Sequence, residues 1–118
     1  MLSNFNNSLE LLEVIQKERL YNQLLLQLKK DFELANVPIK IPLDVTPSEL
    51  KSILHEKIYF LIVERFQDYL NLLYVIDISE REIKNIAPSD AVDISAEVSF
   101  LLLKREWQKV WYRAKYST

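Results

Sequence analysis

The absence of glycine constrains this 118-residue sequence more than any other feature. Glycine supplies the positive-φ positions of tight hairpins and lets a backbone approach a bound phosphate closely. Its absence excludes Walker-type phosphate loops and the glycine fingerprint of dinucleotide sites, and it disfavours tight β-hairpins. Cysteine is absent as well, which excludes disulfides, thiolate nucleophiles, zinc knuckles and iron–sulfur sites.

The composition is that of one soluble domain, with 49% hydrophobic and 27% charged residues. A chain of this length fits a single domain, which we expect to span residues 1–118. The first residues lack the basic and apolar regions of a secretory signal. The longest internal run without charge covers nine residues, 20–28, whereas a membrane helix needs roughly 20 apolar residues. We therefore expect a soluble, cytoplasmic protein that does not bind membranes.

Apolar residues recur at three- and four-residue spacing over most of the chain, which predicts amphipathic helices. Three long helices are predicted at about 8–35, 47–76 and 90–116, and a short helix at about 79–86. Long helices of similar length with two connections favour an antiparallel arrangement. We therefore predict an all-α fold, an up-down helical bundle of three long helices plus one short connecting helix.

Residues 36–46 interrupt the helical pattern. Pro38 and Pro42 prevent helix propagation, and the residues before them favour extended backbone. Apolar and polar residues alternate here, but a lone strand would have no partner in a helical chain. We therefore predict an extended connector that packs its apolar side against the bundle.

Several polar residues stand where helix caps are expected. Thr46 is followed three residues later by Glu49, which is the pattern of a capping box. Asn7 and Ser79 are placed to cap the first helix and the short helix. Asn36 follows the first helix, where it can adopt the left-handed conformation that usually belongs to glycine.

His55 is the only histidine, so any imidazole chemistry depends on it. Ser52 precedes it by one helical turn and Glu56 is adjacent, which would suit a general base or a proton switch. The three residues are nevertheless too close together on one helix for a catalytic triad. We expect His55 to close one end of the bundle core, with its polar edge on water or a carbonyl group.

Carboxylates recur at helical spacing in two places, which raises the alternative of a metal-binding or enzymatic bundle. The sequence contains no Glu-x-x-His pair, and a solvated helix face and a helix start explain the two sets without a metal. We expect no metal ion and no cofactor. The two sets are Glu64 with Asp68, and Asp90 with Asp93 and Glu97.

The last helix carries a concentration of positive charge, since residues 104–118 hold five basic residues and one acidic residue. Cations interleaved with aromatic rings can follow a nucleic-acid backbone and stack on bases. Five cations on a chain of net charge −2 are few for a nucleic-acid-binding surface. We therefore favour contact with an acidic protein surface, either the chain's own middle segment or a partner, over contact with nucleic acid. This candidate interaction surface, the basic stripe, consists of Arg105, Lys109, Arg113, Tyr112 and Tyr116.

The helices carry more apolar residues than one buried stripe each can use. On the second predicted helix further leucines lie on another side than the expected core stripe, which consists of Tyr59, Ile62, Phe66, Tyr69, Leu73 and Ile76. An uncovered apolar patch is more often an interface than an accident, and a two-fold dimer is the commonest assembly. The candidate oligomer surface consists of Leu12, Ile15, Leu26, Leu54, Leu61 and Leu72.

These observations favour a small helical protein that acts by association, as a homodimer, with a protein partner, or both. We expect no catalytic activity. Two alternatives stay open. One is a ligand-binding or enzymatic bundle that uses His55 and the carboxylates, and the other is a nucleic-acid-binding protein that uses the basic stripe.

Overall fold

The computed structural model describes residues 7–116, and all regular secondary structure in that range is α-helical, as predicted. The chain packs into a body with principal extents of 40 × 28 × 25 Å. Within the described range, every helix is too short or too polar to cross a bilayer. The helices are α1 (Ser8–Lys17), α2 (Tyr21–Leu34), α3 (Pro47–Glu64), α4 (Phe66–Ile76), α5 (Glu80–Lys84) and α6 (Ala91–Tyr116).

The first predicted helix, 8–35, is divided at Arg19, whose φ is 60°. The Leu20 amide donates to the Ile15 carbonyl at 3.2 Å, and the Arg19 amide donates to the Gln16 carbonyl at 3.0 Å. These bonds form a Schellman motif, in which a left-handed residue ends the helix. Glycine usually takes that position, so an arginine there carries no recognisable stop signal.

The second predicted helix, 47–76, is divided at Arg65, where φ is −141° and ψ is 58°. The helix resumes at Phe66 without an intervening loop. Neither proline nor glycine accompanies this break, so two usual causes of a helix kink are absent. Two of the three predicted long helices are thus interrupted, and only α6 runs unbroken over about its predicted length.

The predicted helix caps are confirmed. Thr46 and Glu49 form the capping box, with bonds of 2.9 and 3.2 Å between side chain and backbone. The side chains of Asn7 and Ser79 accept bonds from amides in the first turns of α1 and α5, at 2.9 and 3.1 Å. Asn36 has a φ of 60°, which is the left-handed conformation expected for it.

Residues 36–46 form the predicted connector and contain no strand. The Tyr21 hydroxyl donates to the Val45 carbonyl at 2.7 Å, which ties the connector to α2. Burial raises the pKa of Tyr21 to about 12. The apolar side chains buried along the connector are those of Val37, Ile41 and Val45.

The core lies mainly between α3 and α6, which form the most extensive helix pair of the described residues. On α6, Ser95 and Ser99 are buried among apolar residues. Their hydroxyls donate to carbonyls of the preceding turn, at 2.9 Å for Ser95 and 2.7 Å for Ser99. These bonds within the helix satisfy the two buried hydroxyls. On α3 the buried residues are Leu50, Leu54, Ile58 and Leu61.

Candidate functional site

The candidate oligomer surface is corrected by the structure, because five of its six residues lie inside the core. These five side chains are at most 2% exposed, so they cannot contact a second molecule; they are Leu12, Ile15, Leu54, Leu61 and Leu72. Leu26 on α2 is the exception, with 66% of its surface exposed.

On α3 the exposed and buried sides are the reverse of the prediction, whereas on α4 three of the four predicted core residues are buried. Tyr59 and Phe66 were expected in the core, yet they are 40% and 55% exposed, whereas Leu54 and Leu61 are buried. Both sets have helical spacing, and the helix is apolar around most of its circumference. The spacing of apolar residues therefore predicts two possible core faces, and packing against α6 selects one.

The exposed side of α4 is free of charge. Every residue of α4 that is exposed is apolar or an amide, and together they form what we call the α4 face: Phe66, Gln67, Leu70, Asn71 and Tyr74. Tyr74 is the most accessible of these large apolar side chains, with 86% of its surface exposed. Surface helices normally present charged residues to water, so an uncharged exposed face is typical of a contact surface.

The α4 face is held in place by the opposite side of the same helix. α4 buries four apolar side chains, those of Tyr69, Leu72, Leu73 and Ile76. The Phe66 ring lies against the Tyr69 ring, with centroids 5.4 Å apart. The helix ends at Asp77, whose φ is 70°, with the Ile78 amide donating to the Leu73 carbonyl at 3.1 Å. The exposed side chains thus stand on an anchored helix.

Three further apolar side chains lie on the last turns of α3, just before the break at Arg65. Tyr59, Phe60 and Val63 are 40%, 46% and 49% exposed. Half of the large apolar side chains that are exposed among the described residues therefore fall within residues 59–74. This concentration distinguishes the region from the isolated exposed leucines elsewhere, which need no functional explanation.

The cations of the basic stripe are brought together along α6, but each contacts another part of the protein. Arg105 Nη2 lies 3.1 Å from Asp77 Oδ2, and its Nε donates to the Asp77 carbonyl at 3.1 Å. Lys109 Nζ lies 2.7 Å from Asp31 Oδ2. Arg113 donates to the Gln27 side chain. The stripe therefore fastens α6 to α2 and to the end of α4.

The two tyrosines of the basic stripe remain on the surface. Tyr112 and Tyr116 are 48% and 72% exposed, and their rings are stacked with centroids 5.8 Å apart. Trp111, half-buried, meets the Tyr112 ring edge-on at 5.3 Å. Lys115 lies 5.7 Å from the centre of the Trp111 ring, and the three cations of the basic stripe make internal contacts. These cations must leave their present partners before they can follow a nucleic-acid backbone.

A buried acid pair lies between α2 and α6. Glu106 is fully buried and Asp31 is 4% exposed. Lys109 serves both carboxylates, since its Nζ lies 3.0 Å from Glu106 Oε1 and 2.7 Å from Asp31 Oδ2. Gln27 Nε2 also donates to Asp31 Oδ2, at 3.1 Å. Two carboxylates therefore share one cation in a dry environment.

The two carboxyl groups have different pKa values for identifiable reasons. Burial is the main reason that the pKa of Glu106 is raised to about 8, and the adjacent Asp31 carboxyl also raises it. Burial alone would also raise the pKa of Asp31, but hydrogen bonds from Glu106, Lys109 and Gln27 outweigh it and hold that pKa below its ordinary value. Burial thus favours the neutral form of Glu106, and the donors around Asp31 favour its ionised form.

The sequence contained a signal for this pair that the analysis of spacing did not use. Glu106 adjoins Trp107 and lies four residues from Leu102 and Val110, all three of which are buried. Asp31 likewise stands four residues after Gln27 and next to Phe32. An acid within a buried apolar stripe on two separate helices is the pattern of a paired buried carboxylate.

His55 occupies the structural position expected for it. The side chain is half-buried on α3, and Nε2 lies 3.0 Å from the Val92 carbonyl at the start of α6. Because a carbonyl oxygen only accepts, this contact places the ring proton on Nε2. Ser52 and Glu56 are exposed, and neither makes a hydrogen bond to His55 in the described structure.

Among the described residues the two carboxylate sets form no metal-binding group with His55, although the Val92 carbonyl that His55 contacts lies between Asp90 and Asp93 in the chain. Asp68 pairs with Arg65 at 3.0 Å, and Glu64 is exposed. Asp90 caps α6, accepting from the Asp93 amide at 2.9 Å. Among residues 7–116, no group of three or more acidic, histidine or cysteine side chains could hold a metal ion.

The described residues thus present one charge-free apolar surface, a basic stripe paired with other parts of the protein, and an acid pair buried between two helices. Of these, the α4 face alone offers unpartnered apolar side chains on an anchored helix to another molecule. The chain matches no known family model, no curated protein and no solved structure.

Proposed function

We propose that this protein acts by association, and that the α4 face is the surface through which it binds another protein. The observation that carries the proposal is the absence of charge from the exposed residues of α4, combined with the exposure of Phe66, Leu70 and Tyr74. Aromatic side chains lose little rotamer entropy and bury large areas, so they dominate contact energies.

The α4 face supplies part of the area of a specific contact. The exposed parts of Phe66, Leu70 and Tyr74 amount to roughly 370 Å² if a large side chain offers about 200 Å². A stable interface covers about 800 Å² on each partner. These three side chains would therefore supply nearly half of such an interface, and amides such as Gln67 and Asn71 would form its edge.

The internal pairing of the basic stripe supports association over nucleic-acid binding. A cation already engaged by Asp77, Asp31 or Gln27 must break that contact before it can bind a phosphate. The Val92 carbonyl occupies His55 Nε2, which likewise supports association over catalysis, since a general base must reach the proton that it abstracts.

Position-specific photo-crosslinking in cells tests the proposal. A photoreactive phenylalanine analogue replaces Leu70 or Tyr74, and the matched control carries it at Leu43, an exposed leucine of the connector that is 88% exposed. We expect light-dependent adducts of discrete mass from positions 70 and 74 and none from position 43. Adducts absent from positions 70 and 74, or equally abundant at position 43, would contradict the proposal.

A further inference from the structure

We propose that the partner of the α4 face is a second copy of this chain, with the two α4 helices antiparallel and Leu70 on the two-fold axis. This inference rests on the proposed role of the α4 face in association. It follows from the symmetry of the face and from the charges that bound the helix.

The large apolar residues of the α4 face are placed symmetrically along the helix. Phe66 lies four residues before Leu70, and Tyr74 lies four residues after it. Residues at this spacing share one side of a helix. When two copies pair antiparallel about Leu70, each Phe66 ring meets the Tyr74 ring of the other copy, and the leucines meet at the centre. A two-fold interface requires such a self-complementary surface.

The charges at the two ends of α4 favour the antiparallel orientation. Arg65 precedes the helix and Asp77 follows it, with side chains that are 63% and 82% exposed. Asp77 Oδ2 already accepts from Arg105 within each copy, so Oδ1 is the atom that would meet Arg65 of the other copy. A parallel pair would place Arg65 of one copy beside Arg65 of the other, and Asp77 beside Asp77. An antiparallel pair places Arg65 of one copy near Asp77 of the other at each end. The helix dipoles also oppose each other favourably in the antiparallel pair. The Arg65–Asp68 contact within each copy leaves the remaining donors of the guanidinium available.

The geometry of helix packing predicts which positions of the two copies are close enough for a disulfide. Two helices pack with axes about 8–10 Å apart and Cα atoms about 2.3 Å from each axis, so facing Cα atoms on the two-fold axis lie about 5 Å apart. A disulfide needs Cα atoms about 4.4–6.8 Å apart. In the antiparallel pair, position 66 of one copy is displaced from position 66 of the other by about 12 Å along the axis, which is too far for a disulfide.

Single-cysteine variants of the full chain test the arrangement, since the natural sequence contains no cysteine. We expect Leu70→Cys to form a disulfide-linked dimer under mild oxidation, about ten-fold faster than Phe66→Cys or Tyr74→Cys alone. A mixture of Phe66→Cys and Tyr74→Cys should yield the cross-linked heterodimer. Far-UV circular dichroism of each variant confirms that the helices are retained.

Each other outcome has a defined meaning. Cross-linking of Phe66→Cys to itself as fast as Leu70→Cys would show a parallel pair and overturn the antiparallel arrangement. A purified protein of twice the monomer mass that resists cross-linking at position 70 would place self-association elsewhere and overturn it too. A purified monomer with cellular adducts from positions 70 and 74 would overturn self-pairing but leave association through the α4 face intact. A monomer without such adducts would overturn both.

Discussion

The buried acid pair makes the stability of this protein depend on pH, and Glu106→Gln should abolish that dependence. Glu106 is completely buried, beside an Asp31 carboxylate that shares its only cation, Lys109. These surroundings favour the neutral form of the Glu106 carboxyl group. Glutamine has nearly the same shape, cannot ionise, and can donate from its amide to Asp31 in place of the carboxylic proton.

The magnitude follows from the difference between the ordinary and the folded-state pKa of Glu106, 4.5 and about 8. The folded state keeps this proton to higher pH than the unfolded state, so the free energy of unfolding falls as pH rises between those values. Each pH unit corresponds to about 1.4 kcal/mol, so the loss is about 3 kcal/mol at pH 7 and up to about 5 kcal/mol above pH 8. The lowered pKa of Asp31 acts in the opposite sense, because its stabilisation is lost in acid.

Urea denaturation at several pH values between 5 and 9 measures this effect, with the combined fluorescence of Trp107 and Trp111 as the probe. The natural chain should lose stability steadily from pH 5 to 8, and Glu106→Gln should show an almost flat profile. At pH 8 the variant should be more stable by about 3 kcal/mol or more. Glu97→Gln, at an exposed position of the same helix, is the matched control and should follow the natural profile. Parallel profiles for Glu106→Gln and the natural chain would refute the reasoning.

Three further predictions concern the fold and the basic stripe. Thr46→Ala should lower the free energy of unfolding by about 1 kcal/mol through loss of the capping bond, and a neutral result in urea denaturation would count against the cap. Arg19→Gly should raise the free energy of unfolding by about 0.5–1 kcal/mol, because glycine adopts the positive φ at the end of α1 without steric strain. A loss of stability would contradict this. Fluorescence titration with a labelled duplex and a labelled single strand at physiological salt should show no saturable binding below about 1 μM. Tight binding that disappears when the three cations of the stripe are replaced by alanine would reverse our preference for association.

The parts of the fold that depend on local chemistry were predictable from the sequence. The capping box at Thr46 and the left-handed Asn36 depend on side chains within a few residues, and both are confirmed. The connector followed from two prolines. The break at Arg19 was missed because the chain uses an arginine where a glycine would have marked the helix end, and the break at Arg65 has no local residue signal at all.

The spacing of apolar residues alone could not predict which side of a helix is buried. On α3, Leu54 and Leu61 lie on one side and Tyr59 on the other, and apolar residues have helical spacing on both sides. The packing of α3 against its neighbours, chiefly α6, decides which side is buried. The error affected the candidate site directly, since the predicted oligomer surface became core and part of the predicted core became surface. The surplus of apolar residues indicated that some apolar side chains are exposed, but it did not show that they lie on the α4 face.

The mass of the purified chain at increasing concentration tests the central claim most directly. Sedimentation equilibrium from about 1 to 100 μM should show the mass rising from 14.0 kDa towards twice that value. Leu70→Glu, which puts a charge at the centre of the α4 face, should remain at 14.0 kDa, and Leu43→Glu should behave like the natural chain. A natural chain that stays at 14.0 kDa throughout, or a Leu70→Glu variant that still doubles its mass, would contradict self-association through α4.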